Sequence, residues 1–90
     1  MTEETNARLK RLLFRSWHRG TREMDLLLGN FARRYLESFT EDQLDRFEAL
    51  IELSDPELFA WINGLESVPP DLDNDVMSLL KHFKLRSISD

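Results

Sequence analysis

A chain of 90 residues makes one domain, and a domain of this size buries only roughly 60 to 65% of the surface its unfolded form exposes, which leaves little room for a deep pocket. Hydrophobic residues at 41% and charged residues at 32% are ordinary for a soluble globular protein, and the absence of cysteine excludes disulfides, thiolate metal sites and thiol chemistry together. The net charge of -5 is unevenly spread: residues 1–34 hold eight Lys/Arg against four Asp/Glu, residues 35–80 one against twelve, and residues 81–90 three against one.

The periodicity is helical from end to end. From Asn6, a candidate cap, Leu9, Leu12, Leu13 and Trp17 follow the one-sided spacing of an amphipathic helix that stops at Gly20. Thr21 then caps a second helix with the stripe Met24, Leu27, Leu28, Phe31 and Tyr35, and Glu23 and Asp25 sit in its first turn, where carboxylates suit the positive helix end. Thr40-Glu41-Asp42-Gln43 has the form of a capping box and opens a third helix through Leu44, Phe47, Leu50 and Ile51. Ser54-Asp55-Pro56-Glu57 opens a fourth, with proline at the first helical position, and Gly64 closes it. The paired prolines of Val68-Pro69-Pro70-Asp71 make the main loop. After Asp73 or Asn74 as cap, Val76, Leu79, Leu80 and Phe83 mark a fifth helix. Residues 1–5 and 86–90 are expected to fray. No alternating β-branched run argues for a strand, so the expectation is an all-α, compact, single-domain bundle of five helices spanning residues 1–90 and behaving as a monomer.

No apolar run approaches the roughly 18 residues a bilayer span needs, so membrane insertion is not expected. The N-terminus Met1-Thr2-Glu3-Glu4-Thr5 is acidic where secretory and mitochondrial presequences are basic, which points to a cytoplasmic protein of bacterial type or a form already processed.

Catalytic chemistry finds little support. His18 and His82 each lie near a helix end, where an imidazole serves the last carbonyls, and neither has a nucleophile beside it in sequence. The carboxylates between Glu37 and Glu57 show neither a calcium-loop nor a zinc-helix spacing, and Gly20, Gly29 and Gly64 are too isolated for a phosphate loop. No cofactor site and no metal site of the protein's own is therefore expected. The basic N-terminal third could attract nucleic acid or an acidic protein surface, and a nucleic-acid-binding or antitoxin-like regulatory domain is the competing functional class; a sequence pI near 5.0 argues against nucleic acid. The aromatics Trp17, Trp61, Phe31, Phe47 and Phe59 are expected in the core.

The corner Arg19-Gly20-Thr21-Arg22-Glu23 is the place to look for function. A glycine past one helix and a threonine capping the next explain a turn on their own. They do not explain Arg19 and Glu23, which leave unlike charges on an exposed surface where a residue without Cβ admits another backbone. Leu26 projects roughly 150° from the second helix's stripe, between the charged corner and Gly29, read as a surface glycine; that position suits partner contact. Arg22 and Asp25 complete the candidate patch.

This stretch resembles the Arg-Gly-x-x-Glu signature of the small flavinylation assembly factors of succinate dehydrogenase. Asp25-Leu26-Leu27-Leu28-Gly29-x-Phe31, Phe47-Glu48 and Asp55-Pro56-Glu57-Leu58 leading to Trp61 are similar to that family as well. The resemblance implies a non-enzymatic chaperone that binds the flavoprotein subunit of succinate dehydrogenase, with that of fumarate reductase as a second candidate. Such a factor promotes covalent attachment of FAD to a histidine of that partner, and the FAD belongs to the partner. Carried over residue by residue, Arg19, Gly20 and Glu23 would form the functional surface.

Overall fold

Helix is the only extended regular structure among residues 3–89, the backbone span that the computed structural model describes, with side chains described through residue 84. In chain order the helices are α1 (Glu3–Trp17), α2 (Arg22–Tyr35), α3 (Glu41–Ile51), α4 (Asp55–Ile62) and α5 (Asp75–Ser89), with short 3-10 turns at Leu36–Ser38 and Pro70–Leu72. The all-α, five-helix expectation is borne out. Of the end segments expected to fray, residues 3–5 open α1 and 86–89 close α5; Met1, Thr2 and Asp90 lie outside the described residues. By its internal contacts the chain divides into two units, Met1–Phe39 and Thr40–Asp90.

In the first unit α1 begins at Glu3, earlier than the Asn6 cap expected, because Glu3 and Glu4 already supply the first-turn carboxylates that the helix dipole favours. It stops at Trp17, short of Gly20. The His18 imidazole folds back there, its Nδ1–H donating to the Phe14 carbonyl at 2.6 Å; a carbonyl only accepts, so the proton must lie on Nδ1. α2 opens as expected on Thr21, whose backbone is extended and whose Oγ1 accepts the Met24 amide. Its buried face is Met24, Leu28, Gly29, Phe31 and Ala32, continued by Leu36, and it meets Leu12 and Ser16 of α1. The buried Ser16 hydroxyl donates to the Leu12 carbonyl at 2.7 Å and so carries no unmet hydrogen bond.

Gly29 corrects the sequence reading. It is buried, not on the surface, and a Cβ added there would run into the Trp17 indole. Trp17 is correspondingly half-buried, lying over the α2 backbone instead of filling an enclosed core position.

In the second unit each short-range cap forms where the residues predict it. The Gln43 amide donates to Thr40 Oγ1 at 3.2 Å and the Thr40 amide to Gln43 Oε1 at 2.9 Å, a complete capping box. Ser54 Oγ accepts the Glu57 amide, and Asn74 Oδ1 accepts the Met77 amide at 3.0 Å. Gly64 takes φ 72° past the end of α4, the left-handed conformation that glycine adopts without penalty. The apolar interior comprises Leu44, Phe47, Leu50, Ile51, Leu58, Trp61, Ile62, Val76, Met77 and Leu80. Phe59 is a second correction: it is 40% exposed, because the face α4 buries runs through 58, 61 and 62 and the next residue after Leu58 turns about 100° away.

Asp75 joins α5 to α3. Its carboxylate accepts Gln43 Nε2 at 3.0 Å, Arg46 Nη1 at 3.1 Å and the Val76 amide at 3.0 Å. The Gln43 hydrogen bond first, then the Arg46 charge, holds its pKa below the usual carboxylate value.

Two outcomes are expected. Gly29→Ala gains up to about 1 kcal/mol of helix propensity but must displace a packed indole, an overpacking cost of about 1–3 kcal/mol, so thermal unfolding should move down by several degrees. For Asp75 the folded-state pKa is depressed, so its stabilisation is complete above the unfolded pKa of about 3.9 and disappears as pH falls through the lower folded value. Denaturant titrations should therefore show Asp75→Asn less stable than wild type at neutral pH, with the gap closing below about pH 4. A gap that persists at pH 2 would contradict this.

Candidate functional site

The corner between α1 and α2 consists of His18, Arg19, Gly20 and Thr21, and its backbone is held from the α2 side. Asp25, in the first turn of α2, reaches back so that one carboxylate oxygen, Oδ1, accepts both the Arg19 and the Gly20 amides, the latter at 3.2 Å. Two consecutive N–H groups converging on one anionic oxygen form a nest, and charge-assisted bonds of this kind are about twice as strong as neutral ones. The Thr21 carbonyl accepts the Asp25 amide at 2.9 Å, which fixes the helical turn from which Asp25 projects.

Gly20 has φ 108°, a conformation L side chains rarely adopt, and nothing lies within 4 Å of where its Cβ would be. The glycine is thus demanded by backbone conformation and not by crowding within the chain. Its surface is open.

Around it the candidate residues divide into two sets. Gly20, Arg22 and Glu23 are exposed and Leu26 is 47% exposed, as its angular position off the stripe predicts. Arg19 and Asp25 are half-buried. The structure therefore brings all six expected residues to one corner, but it engages Asp25 in holding the turn together. Glu23 points from the same first turn without that duty, and Asn30 Nδ2 donates to the Leu26 carbonyl at 2.7 Å one turn on.

Two features were missed from the sequence. Phe14 is 62% exposed, and its ring stacks on His18 with centroids 3.9 Å apart and planes 20° apart. Its position roughly 120° off the Leu9-Leu12-Leu13-Trp17 stripe was the available signal. The tie from Asp25 to the corner had no such signal, since it spans five and six residues across a turn and follows no helical spacing.

No helix among the described residues is long and apolar enough to cross a membrane. No group of three His, Asp or Glu side chains among them is placed to hold a metal ion.

Residues 10–84 match the family model described as flavinator of succinate dehydrogenase. The chain is 41% identical over 85 residues to succinate dehydrogenase assembly factor 2-A, mitochondrial, of Drosophila ananassae, covering 91% of this chain and 54% of the relative. It is 40% identical to the assembly factor 2 of Drosophila grimshawi, over 91% of this chain and 58% of the relative. To that of Dictyostelium discoideum it is 40% identical over 73 residues, 81% of this chain and 52% of the relative. The chain thus spans about half the length of the curated relatives it matches.

These relatives overturn the expectation of a cytoplasmic protein, since all three are named as mitochondrial. The acidic N-terminus was the wrong observation to use. A leader argument depends on where a chain begins, and a chain that aligns with half of its relatives does not carry that information.

Removing the Asp25 carboxylate should loosen the corner without unfolding the unit. Asp25→Ala is expected to cost about 1–2 kcal/mol, the low end for bonds to a charged group because the site is half open to water. It should also shift the Arg19 and Gly20 amide proton resonances upfield while leaving those of α3 in place. Unchanged Arg19 and Gly20 resonances would show that the nest is not formed in solution.

Proposed function

Because the chain belongs to the family described as flavinator of succinate dehydrogenase, we propose that it is an assembly factor that binds the flavoprotein subunit of that enzyme and promotes covalent attachment of FAD to it. The flavoprotein of fumarate reductase is the second candidate partner. The observation that carries the reading is the open surface over Gly20, flanked by the exposed Arg22 and Glu23 and by Leu26.

In this proposal the factor is not an enzyme and holds no FAD of its own. The bond forms within the flavoprotein, between FAD and a histidine of that partner. A helper accelerates the reaction by favouring the conformation that holds the two in reactive geometry, a proximity effect that needs no group of its own on the isoalloxazine. Gly20 lets the partner's backbone approach, Arg19, Arg22 and Glu23 offer charge-assisted contacts, and Leu26 adds apolar area. Asp25 supplies the rigidity that lets those contacts form without first ordering a loop.

The test mixes the purified protein, as a monomer, with apo-flavoprotein, with and without FAD, and follows complex formation and covalent flavin in the partner's band. Alone, the protein should be colourless and bind FAD weakly or not at all. Glu23→Ala should impair flavinylation severely while costing only a few tenths of a kcal/mol to about 1 kcal/mol of stability through the helix dipole. Arg22→Ala, in the same corner but outside the Arg-Gly-x-x-Glu pattern, should be affected less. Wild-type flavinylation by Glu23→Ala would remove Glu23 from the functional surface.

A further inference from the structure

Six candidate residues at one corner are too few to be a whole docking surface. A standard specific interface uses about 800 Å² and 20–30 residues on each side, so a partner seated on Gly20 must extend across more of the chain. In the same unit, α1, the C-terminal part of α2 and the 3-10 turn Leu36–Ser38 enclose an open groove of about 290 Å³. Its floor is the buried pair Ala32 and Leu36, its walls are the half-buried Leu9 and Leu13, and Lys10 and Arg33 stand exposed on its rim. Neither rim cation is held in an ion pair among the described residues.

Size and charge together choose the occupant. The volume falls just under the roughly 300–1,000 Å³ of small-molecule sites, enough for one bulky apolar side chain and far too little for a dinucleotide cofactor. An aliphatic floor selects an apolar anchor, and two unpaired cations select carboxylates next to it. Glu37, the one carboxylate on the rim, leaves the balance positive. Along α1, Lys10 is seven residues before Trp17, about two turns or roughly 10 Å, so one partner surface can reach both groove and corner.

We propose that this groove is a second contact for the flavoprotein, receiving an apolar side chain from an acidic segment of that partner. The inference rests on the function proposed above. It predicts that affinity is shared between two sites of different chemistry: the corner, read by close backbone approach, and the groove, read by an apolar anchor and by charge.

Charge reversal on the rim tests it with little risk to the fold, since both cations are exposed. The double variant Lys10→Glu/Arg33→Glu should bind apo-flavoprotein about tenfold or more weakly and lose much of the salt dependence of association, at an unchanged melting temperature. Glu37→Lys should bind more tightly, and the methyl resonances of Leu9 and Leu13 should move when the flavoprotein is added. Wild-type affinity and salt dependence in the double variant, or leucine methyls that do not respond to the flavoprotein, would overturn the inference. Methyls that respond to free FAD instead would also overturn it. If Glu23→Ala weakens binding while the rim variants do not, the groove falls and the corner stands; if wild type forms no complex, both fall.

Discussion

The position of the corner is determined by Trp17 lying on the backbone of α2 at Gly29. Interhelical separation is set by the side chains at the contact, and packed interiors yield little, so a residue without Cβ beneath an indole fixes how close α1 comes and at what register. With Trp17 and Gly29 in contact, the chain has only residues 18–21 in which to reverse direction. That short span demands the positive φ of Gly20 and brings the Arg19 and Gly20 amides within reach of Asp25. The candidate surface is therefore a consequence of packing one turn of α1 and two turns of α2 away from it.

What was legible in the sequence was local. Thr21, the Thr40 and Gln43 pair, Ser54 and Asn74 each act on an amide three residues away, so their spacing alone identifies them. Leu26 was legible too, because angular position on a helix is arithmetic. Gly29 was not: an isolated glycine in a helix reads as a loss of propensity, and its reason is an indole twelve residues earlier. Asp25 was read as a first-turn dipole partner and a member of the patch, whereas its carboxylate accepts the Arg19 and Gly20 amides behind it. Phe59 shows the same limit from the other side, since an aromatic type says less about burial than the face on which a short helix places it.

The corner separates two tasks between neighbouring residues. Thr21 and Asp25 turn their oxygens onto backbone amides, while Arg22, Glu23 and Leu26, between and beside them on the same turns, face outward. Ordering a loop on binding costs roughly 1–2 kcal/mol of backbone entropy per residue, and a corner already held by its own hydrogen bonds avoids most of that. Preorganisation also explains why a glycine can be used at an exposed site: the flexibility it brings is removed by the carboxylate that accepts its amide.

On the proposed function this rigidity has a thermodynamic meaning. A ligand that binds two conformations of its partner equally shifts nothing, however tightly it binds, and each tenfold preference for the competent conformation corresponds to about 1.4 kcal/mol of differential binding. A soft surface would adapt to both conformations and forfeit the difference. A stiff corner offers one geometry, so a mispositioned partner backbone over Gly20 meets either a gap or a clash. On the proposed function, selectivity for the reactive arrangement of FAD and histidine therefore comes from the corner's shape, and the charged groups beside it bring the partner to that shape.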